Sequence, residues 1–184
     1  MPENDSRLLT AARRGDERSF LALYQRHRTP LFRFAWRLTG SVTTAEDVIQ
    51  ECFLALIEGA CFDAEQGSLR GYLFGITRNL ALQRLRIAGR ESEELEDAEA
   101  ALDPLEELIS SERSEVVARA VAALPPLQRE AVILFEYEEM SLEEIARVAG
   151  TETGAVKARL HRARETLRRR LAPILGARVE RRCS

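Results

Sequence analysis

In the first half of this 184-residue chain, apolar residues recur at helical rather than alternating intervals, which predicts helices that each pack by one face. Leu8, Leu9 and Ala12 mark a first helix, Phe20, Leu21, Leu23 and Tyr24 a second, and Leu31, Phe32, Phe34, Ala35 and Leu38 a third. Gly15-Asp16 and Thr29-Pro30 separate them, and Gly40-Ser41 ends the third. The next helix carries Val48, Ile49, Cys52, Phe53, Leu56 and Ile57, a stripe that must face a core. Asp47, Gln50, Glu51, Leu54 and Glu58 fall on its other side. That outer face reads as solvated surface, and Leu54 among the acids hints at docking. Residues 59–68 (GACFDAEQGS) predict a loop. Beyond it, Leu69, Leu73, Ile76, Leu80 and Ile87 predict the buried stripe of a helix of four or five turns. Leu124-Pro125-Pro126 starts another helix, through Glu136, whose Ala131, Leu134 and Phe135 point inward. Ser141 and Glu144 form a capping box before a short helix that Gly150 closes. After Thr151-Glu152-Thr153, a long helix shows Val156, Leu160, Ala163, Leu167, Leu171 and Ile174 on one side.

Charge changes this picture from one bundle to two. The chain's net charge of −3 is the sum of unlike segments: 0 over 1–62, +3 over 63–90, −10 over 91–112, −3 over 113–150 and +7 over 151–184. The acidic segment holds no Lys or Arg, and block charge of one sign predicts a solvated linker. We therefore expect an all-α protein of two small helical domains, residues 1–90 and 113–176, joined by an acidic flexible linker at 91–112 and ending in a tail at 177–184. No stretch of more than nine residues lacks a charge, against the 18 to 20 or so apolar residues of a spanning helix, so no membrane insertion is expected. The amino end lacks the apolar core of a secretory signal, which makes the expected location cytoplasmic. Cys52, Cys61 and Cys183 are odd in number without CxxC spacing, and only His27 and His161 could join them, so neither a metal site nor a disulfide framework is expected. Cys52, on an apolar stripe, reads as core.

Two stretches carry candidate chemistry. The faces of the 69–87 helix outside its predicted stripe hold Arg70, Phe74 and Arg78, with Asn79, Gln83 and Arg86 beside them. Aromatic, Arg and amide side chains next to a loop suit stacking and reading of unpaired bases. The last third has the parts of a helix-turn-helix: Ala146 where two helices cross, Gly150 in the turn, and Val156 as the anchor of a second helix with a basic face. Lys157, Ala158, His161 and Arg162 lie opposite the Val156/Leu160 seam and are placed for base edges. Arg159, Arg164, Arg168 and Arg169 are placed for phosphates.

The stretches AEDVIQECFLALIE, LRGYLFGITRNLALQRLR and LPPLQREAVILFEYEEMSLEEIARVAGTETGAVKARLHRARETLRRRL resemble the signature blocks of the extracytoplasmic function (ECF) group of bacterial RNA polymerase sigma factors, in that family's order over roughly residues 6–172. The resemblance implies a promoter-recognition subunit that works with core RNA polymerase. The face of Asp47, Gln50, Glu51 and Leu54 resembles the surface that docks on the coiled coil of the polymerase's largest subunit. The loop from Phe62 to Ser68, with Arg70, Phe74, Arg78 and Asn79, resembles the part that melts the minus-ten element and captures an extruded base. The second domain is similar to the reader of minus-thirty-five duplex DNA, and promoter DNA is thus the second partner. In the family the acidic linker threads channels meant for nucleic acid. An anti-sigma factor wedged between the domains is the expected third partner. The chain departs from the pattern at Glu152 and Ala155, where family members usually carry a hydroxyl residue. A carboxylate there repels phosphate while suiting the helix dipole.

No cofactor is expected. Walker A, GxGxxG, HExxH and GxSxG motifs are absent, and two histidines leave little for acid-base catalysis, so no enzyme is expected either. The alternative is a stand-alone helix-turn-helix regulator that dimerises on two half-sites, which leaves the Asp47 face and the aromatic-Arg helix without a purpose.

Overall fold

A computed structural model of the protein describes residues 2–59, 62–91 and 112–180, with side chains over 5–59, 62–89 and 114–172. The acidic linker expected at 91–112 and the end of the tail lie almost wholly outside these residues. The described residues form helices α1 (Pro2–Arg13), α2 (Glu17–Thr39), α3 (Val42–Glu58), α4 (Leu69–Glu91), α5 (Glu112–Ala122), α6 (Pro126–Val132), a π-helical turn (Ile133–Tyr137), α7 (Leu142–Ala149) and α8 (Thr153–Glu180), with no strand among them. They belong to two compact units. One carries α1 to α4, and the other carries α5, α6, α8 and most of α7.

In the first unit, α2 packs against α1, α3 and α4. Thr29-Pro30 does not break the chain as expected: α2 runs unbroken through Pro30. A proline inside a helix costs roughly 3 kcal/mol. Leu23, Leu31, Phe34 and Leu38 are fully buried along one face of α2, and at roughly 1.5 to 3 kcal/mol each their burial outweighs that cost. The ends of α2 are locally encoded. Asp16 accepts the Ser19 N–H at its start, and Gly40 closes it with φ +75°, its N–H donating to the Trp36 carbonyl. Ser41 then caps α3, accepting from the Thr44 N–H at 3.2 Å.

Two polar ties hold α1 onto this bundle. The Arg13 guanidinium donates to the Leu56 carbonyl at 2.9 and 3.1 Å. Asp5, buried, meets both Arg26 and the buried His27, whose Nε2 lies 3.0 Å from Asp5 Oδ2. Burial pulls the His27 imidazole below its ordinary range, Asp5 pushes it back up, and Arg26 and Arg70 add to the lowering. The α3 stripe is buried as its spacing predicts, apart from half-buried Ile57. Cys52 lies within it, beside the Leu73 carbonyl and the Thr77 hydroxyl, and burial pushes its thiol up to about 11.

The α4 stripe is rotated from the expected one. Leu69, Leu73, Phe74, Thr77, Ala81 and Leu82 are buried, Ile76 and Leu80 are half-buried, and Ile87 is 41% exposed. A 4-3-4-7 series fitted to aliphatics alone overlooks Phe74, whose ring fills space against Phe34 at 5.3 Å.

In the second unit, α8 packs on α5 and α6. Helix α5, whose Val121 is buried, was not marked by the apolar pattern. The helix expected from Leu127 to Glu136 changes character at Ile133. Glu130 through Leu134 are five consecutive buried residues, more than one face of a regular α-helix presents, and the wider π turn begins inside that run. Phe135, expected inward, is half-buried. The capping box forms as its sequence predicts: the Ser141 N–H donates to Glu144 Oε2 at 2.9 Å and the Glu144 N–H to Ser141 Oγ at 3.2 Å. Gly150, at φ +59°, ends α7 in a Schellman motif, with Thr151 N–H donating to the Ala146 carbonyl and Gly150 N–H to that of Arg147.

Candidate nucleic-acid interface

The second unit presents the basic surface that its sequence predicts. Val156, Leu160 and Ala163 are buried on one side of α8, which turns Lys157, Ala158, His161 and Arg162 to solvent on the other. His161 lies 3.9 Å from Glu165, one helical turn on, with both side chains more than half exposed. Arg159 sits half-buried on one flank, and Arg164 is exposed on the other. Arg168 and Arg169 are exposed, whereas Arg170, next to them, donates to the Ala123 carbonyl at 3.0 Å. At the start of α8 the Glu152 carbonyl accepts the Ala155 and Val156 N–H groups, so this exposed carboxylate stands at the cap position. Short helix, tight turn and basic helix together can seat a helix in a major groove.

Arg164 differs from its neighbours. Its Nη2 is 3.0 Å from Glu136 Oε1, and its guanidinium lies over the Phe135 ring, 5.2 Å from the centroid. Its sequence suggests a phosphate contact and gives no sign of this tie, because the partners are 28 and 29 residues away on a turn that no periodicity announces.

In the first unit the loop before α4 is organised by its own side chains. Asp63 accepts the Glu65 N–H and the Gln66 amide, each at 2.9 Å, and exposed Ser68 caps α4 by accepting the Gly71 N–H at 3.1 Å. Phe62 and Tyr72 pair at 5.5 Å with their planes tilted by 52°, both half-buried. Phe74 corrects the expectation of a stacking platform: it is 0% exposed, in the bundle interior, and no base can reach its face. The Arg70 guanidinium lies over the Phe74 ring, 5.0 Å from its centroid. Arg78 donates to exposed Asn79 Oδ1 at 3.1 Å. The aromatic surface next to these polar groups is therefore Phe62 with Tyr72. Tyr72 could have been found from its place four residues after Ser68, in the first turn of α4.

Asp47, Gln50, Glu51 and Leu54 share the exposed face of α3, and Leu54 is 60% exposed. Glu51 pairs with Arg84 of α4 at 2.8 Å. Gln50 and Leu54 border a groove of ≈ 490 Å³ whose floor is Ala12, Phe20, Tyr24, Phe53 and Ile57. Tyr24 and Phe53 lie 4.9 Å apart there, with Phe20 edge-on to Phe53 at 6.2 Å. The sequence signal for this floor was the Phe20/Tyr24 pair at i,i+4. Among the described residues no three His, Cys, Asp or Glu side chains group to hold a metal ion, and no helix is long and apolar enough to cross a membrane.

The family model Sigma-70 region 2 matches residues 23–91, and Sigma-70, region 4 matches residues 114–167. The chain is 33% identical over 174 residues to the ECF RNA polymerase sigma factor SigM of Mycobacterium tuberculosis, covering 94% of this chain and 85% of that one. It is 36% identical over 156 residues to the ECF RNA polymerase sigma factor SigE of Mycolicibacterium smegmatis, where the match takes in 82% of this chain but only 60% of the relative's length. Among solved structures, the sigma factor RpoE of Bartonella quintana, in complex with the anti-sigma factor NepR, superposes with a TM-score of 0.71 at 29% identity, over 83% of this chain and 96% of that one.

Proposed function

The chain belongs to the ECF group of RNA polymerase sigma factors, and we propose that it directs promoter-specific initiation through three surfaces of its own. The observation that carries this reading is the basic, exposed face of α8, set opposite a buried seam and behind a Schellman turn. Lys157, Ala158, His161 and Arg162 meet base edges of the minus-thirty-five duplex, and Arg159, Arg168 and Arg169 meet phosphate. Phe62, Ser68, Arg70, Arg78 and Asn79 serve the minus-ten element, with Tyr72 joining Phe62 as the stacking surface in the role first given to Phe74. Flipping a base costs a few kcal/mol, and stacking returns about 1 to 3 kcal/mol per base. Asp47, Gln50, Glu51 and Leu54 dock core RNA polymerase.

The domains of this reading are residues 1–90 and 113–176, with the acidic segment 91–112 between them. The factor works in the cytoplasm and catalyses no reaction of its own. An anti-sigma factor is its further partner, a reading supported by the company that the Bartonella quintana protein keeps. A stand-alone regulator is disfavoured, since the region 2 match over 23–91 gives the first unit a role that such a protein does not need.

Run-off transcription from a promoter library, with core polymerase in the presence and absence of the chain, tests the proposal. Initiation from a subset of promoters only when the chain is present is the expected result. Equal initiation without it refutes the reading.

A further inference from the structure

Among the basic residues of α8, Arg164 is held by two contacts at once. Glu136 Oε1 takes its guanidinium at 3.0 Å and the Phe135 ring lies beneath it at 5.2 Å. Both partners come from the π turn, which is itself tied down: Glu138 N–H donates to the Ile133 carbonyl at 3.1 Å and Met140 N–H to that of Leu134 at 3.0 Å. Leu134 is fully buried just before Phe135, so the pair is presented from a rooted segment rather than a loose loop. Lys157, about two turns before Arg164, and Arg168, one turn after it, border the same flank and are exposed.

We propose that Glu136 is a specificity-determining residue: it holds Arg164 away from the DNA backbone and so limits sequence-independent binding by the recognition helix. The inference rests on the minus-thirty-five reading above. A phosphate contact adds affinity for every duplex alike and carries no sequence information. For Arg164 to make one, it must leave a carboxylate and an aromatic face together, and the carboxylate set free would then lie beside the duplex with its charge unmatched. The pair thus keeps one cation out of the non-specific ledger while Lys157, His161 and Arg162 remain available to bases.

The test uses holoenzyme assembled from core polymerase and the full chain, bound to promoter and to non-promoter duplex over a range of KCl concentrations. Glu136→Gln should steepen the log-log salt dependence on non-promoter duplex by about 0.9, the value of one added phosphate contact. The gain in affinity is then about 3.5-fold larger at 50 mM than at 200 mM salt, and the ratio of promoter to non-promoter affinity falls. In E136Q/R164A the slope should return to that of the unmodified chain. An unchanged slope in E136Q overturns the proposal, and so does a double variant that keeps the gain, because the carboxylate's own repulsion would then explain it. Arg162→Ala, measured alongside, separates the two readings: if it too leaves promoter affinity and slope untouched, α8 does not meet the duplex and both readings fall together.

Discussion

Gly150 and Gly154 stand four residues apart around the start of α8, and a methyl group added at either meets no atom within 4 Å. They differ in backbone conformation alone. Gly150 sits at φ +59°, where its N–H and that of Thr151 close the Schellman motif, while Gly154 lies inside the first turn of α8 without a positive φ. Gly150→Ala should therefore destabilise the second unit by about 1 to 2 kcal/mol, the cost of placing a β-carbon in the left-handed region. Gly154→Ala should stabilise it by about 0.4 to 1 kcal/mol, because the unfolded chain loses freedom that the folded one never used. For a unit of this size, 1 kcal/mol moves the midpoint by about 4 to 8 °C, so the two variants should melt at least 5 °C apart, on opposite sides of the parent. Far-UV circular dichroism follows the unfolding. Fluorescence from Trp36, the sole tryptophan and buried in α2, reports the first unit as an internal control. Gly150→Asn should cost less than Gly150→Ala, since Asn tolerates this region better. Shifts of the same sign for both alanine variants would refute the conformational argument.

Reversing the docking face with Asp47→Arg and Glu51→Arg should abolish co-purification with core polymerase while leaving the melting curve of the chain within a few degrees; retained binding removes the docking assignment. Arg162→Ala should weaken minus-thirty-five binding by about 1 to 3 kcal/mol with relaxed preference at one position if the side chain reads a base, which selection from a randomised duplex pool would reveal. Because His27 is held below its ordinary value of 6.5, chiefly by burial, the unfolded chain takes up the proton first as the pH falls. Stability of the first unit should then be complete above 6.5 and decline below it, and His27→Gln should flatten that decline in a series of melts from pH 8 to pH 5. Cys52, fully buried with its thiol raised to about 11, should resist alkylation in the native chain and react on unfolding, as read by mass spectrometry of the Cys52 peptide.

What could be read from the sequence is what is local. The Ser141–Glu144 capping box, the Gly40 and Gly150 terminators and the α3 stripe are each fixed by residues within a turn or two of one another, and all appear as expected. Pro30 misled because its local penalty competes with burial contributed by three other helices, which no window around Thr29 contains. Phe74 misled in a similar way: Arg beside an aromatic suggests a nucleic-acid surface, but whether the ring faces water depends on Phe34, forty residues earlier in the chain. The π turn has no periodicity of its own, so the tie between Glu136 and Arg164 could not be foreseen. The outward face of α8 was legible because Val156, Leu160 and Ala163 fix its rotation.

Glu51 comes to any encounter with its carboxylate already in the hands of Arg84. A newcomer that offers an arginine to Glu51 must displace the resident one, so the exchange swaps partners rather than creating an attraction from nothing, and the displaced guanidinium is released at the rim of the contact. Arg84 is then free to seek an acid on the incoming surface, which favours a visitor of mixed charge over a uniformly basic one.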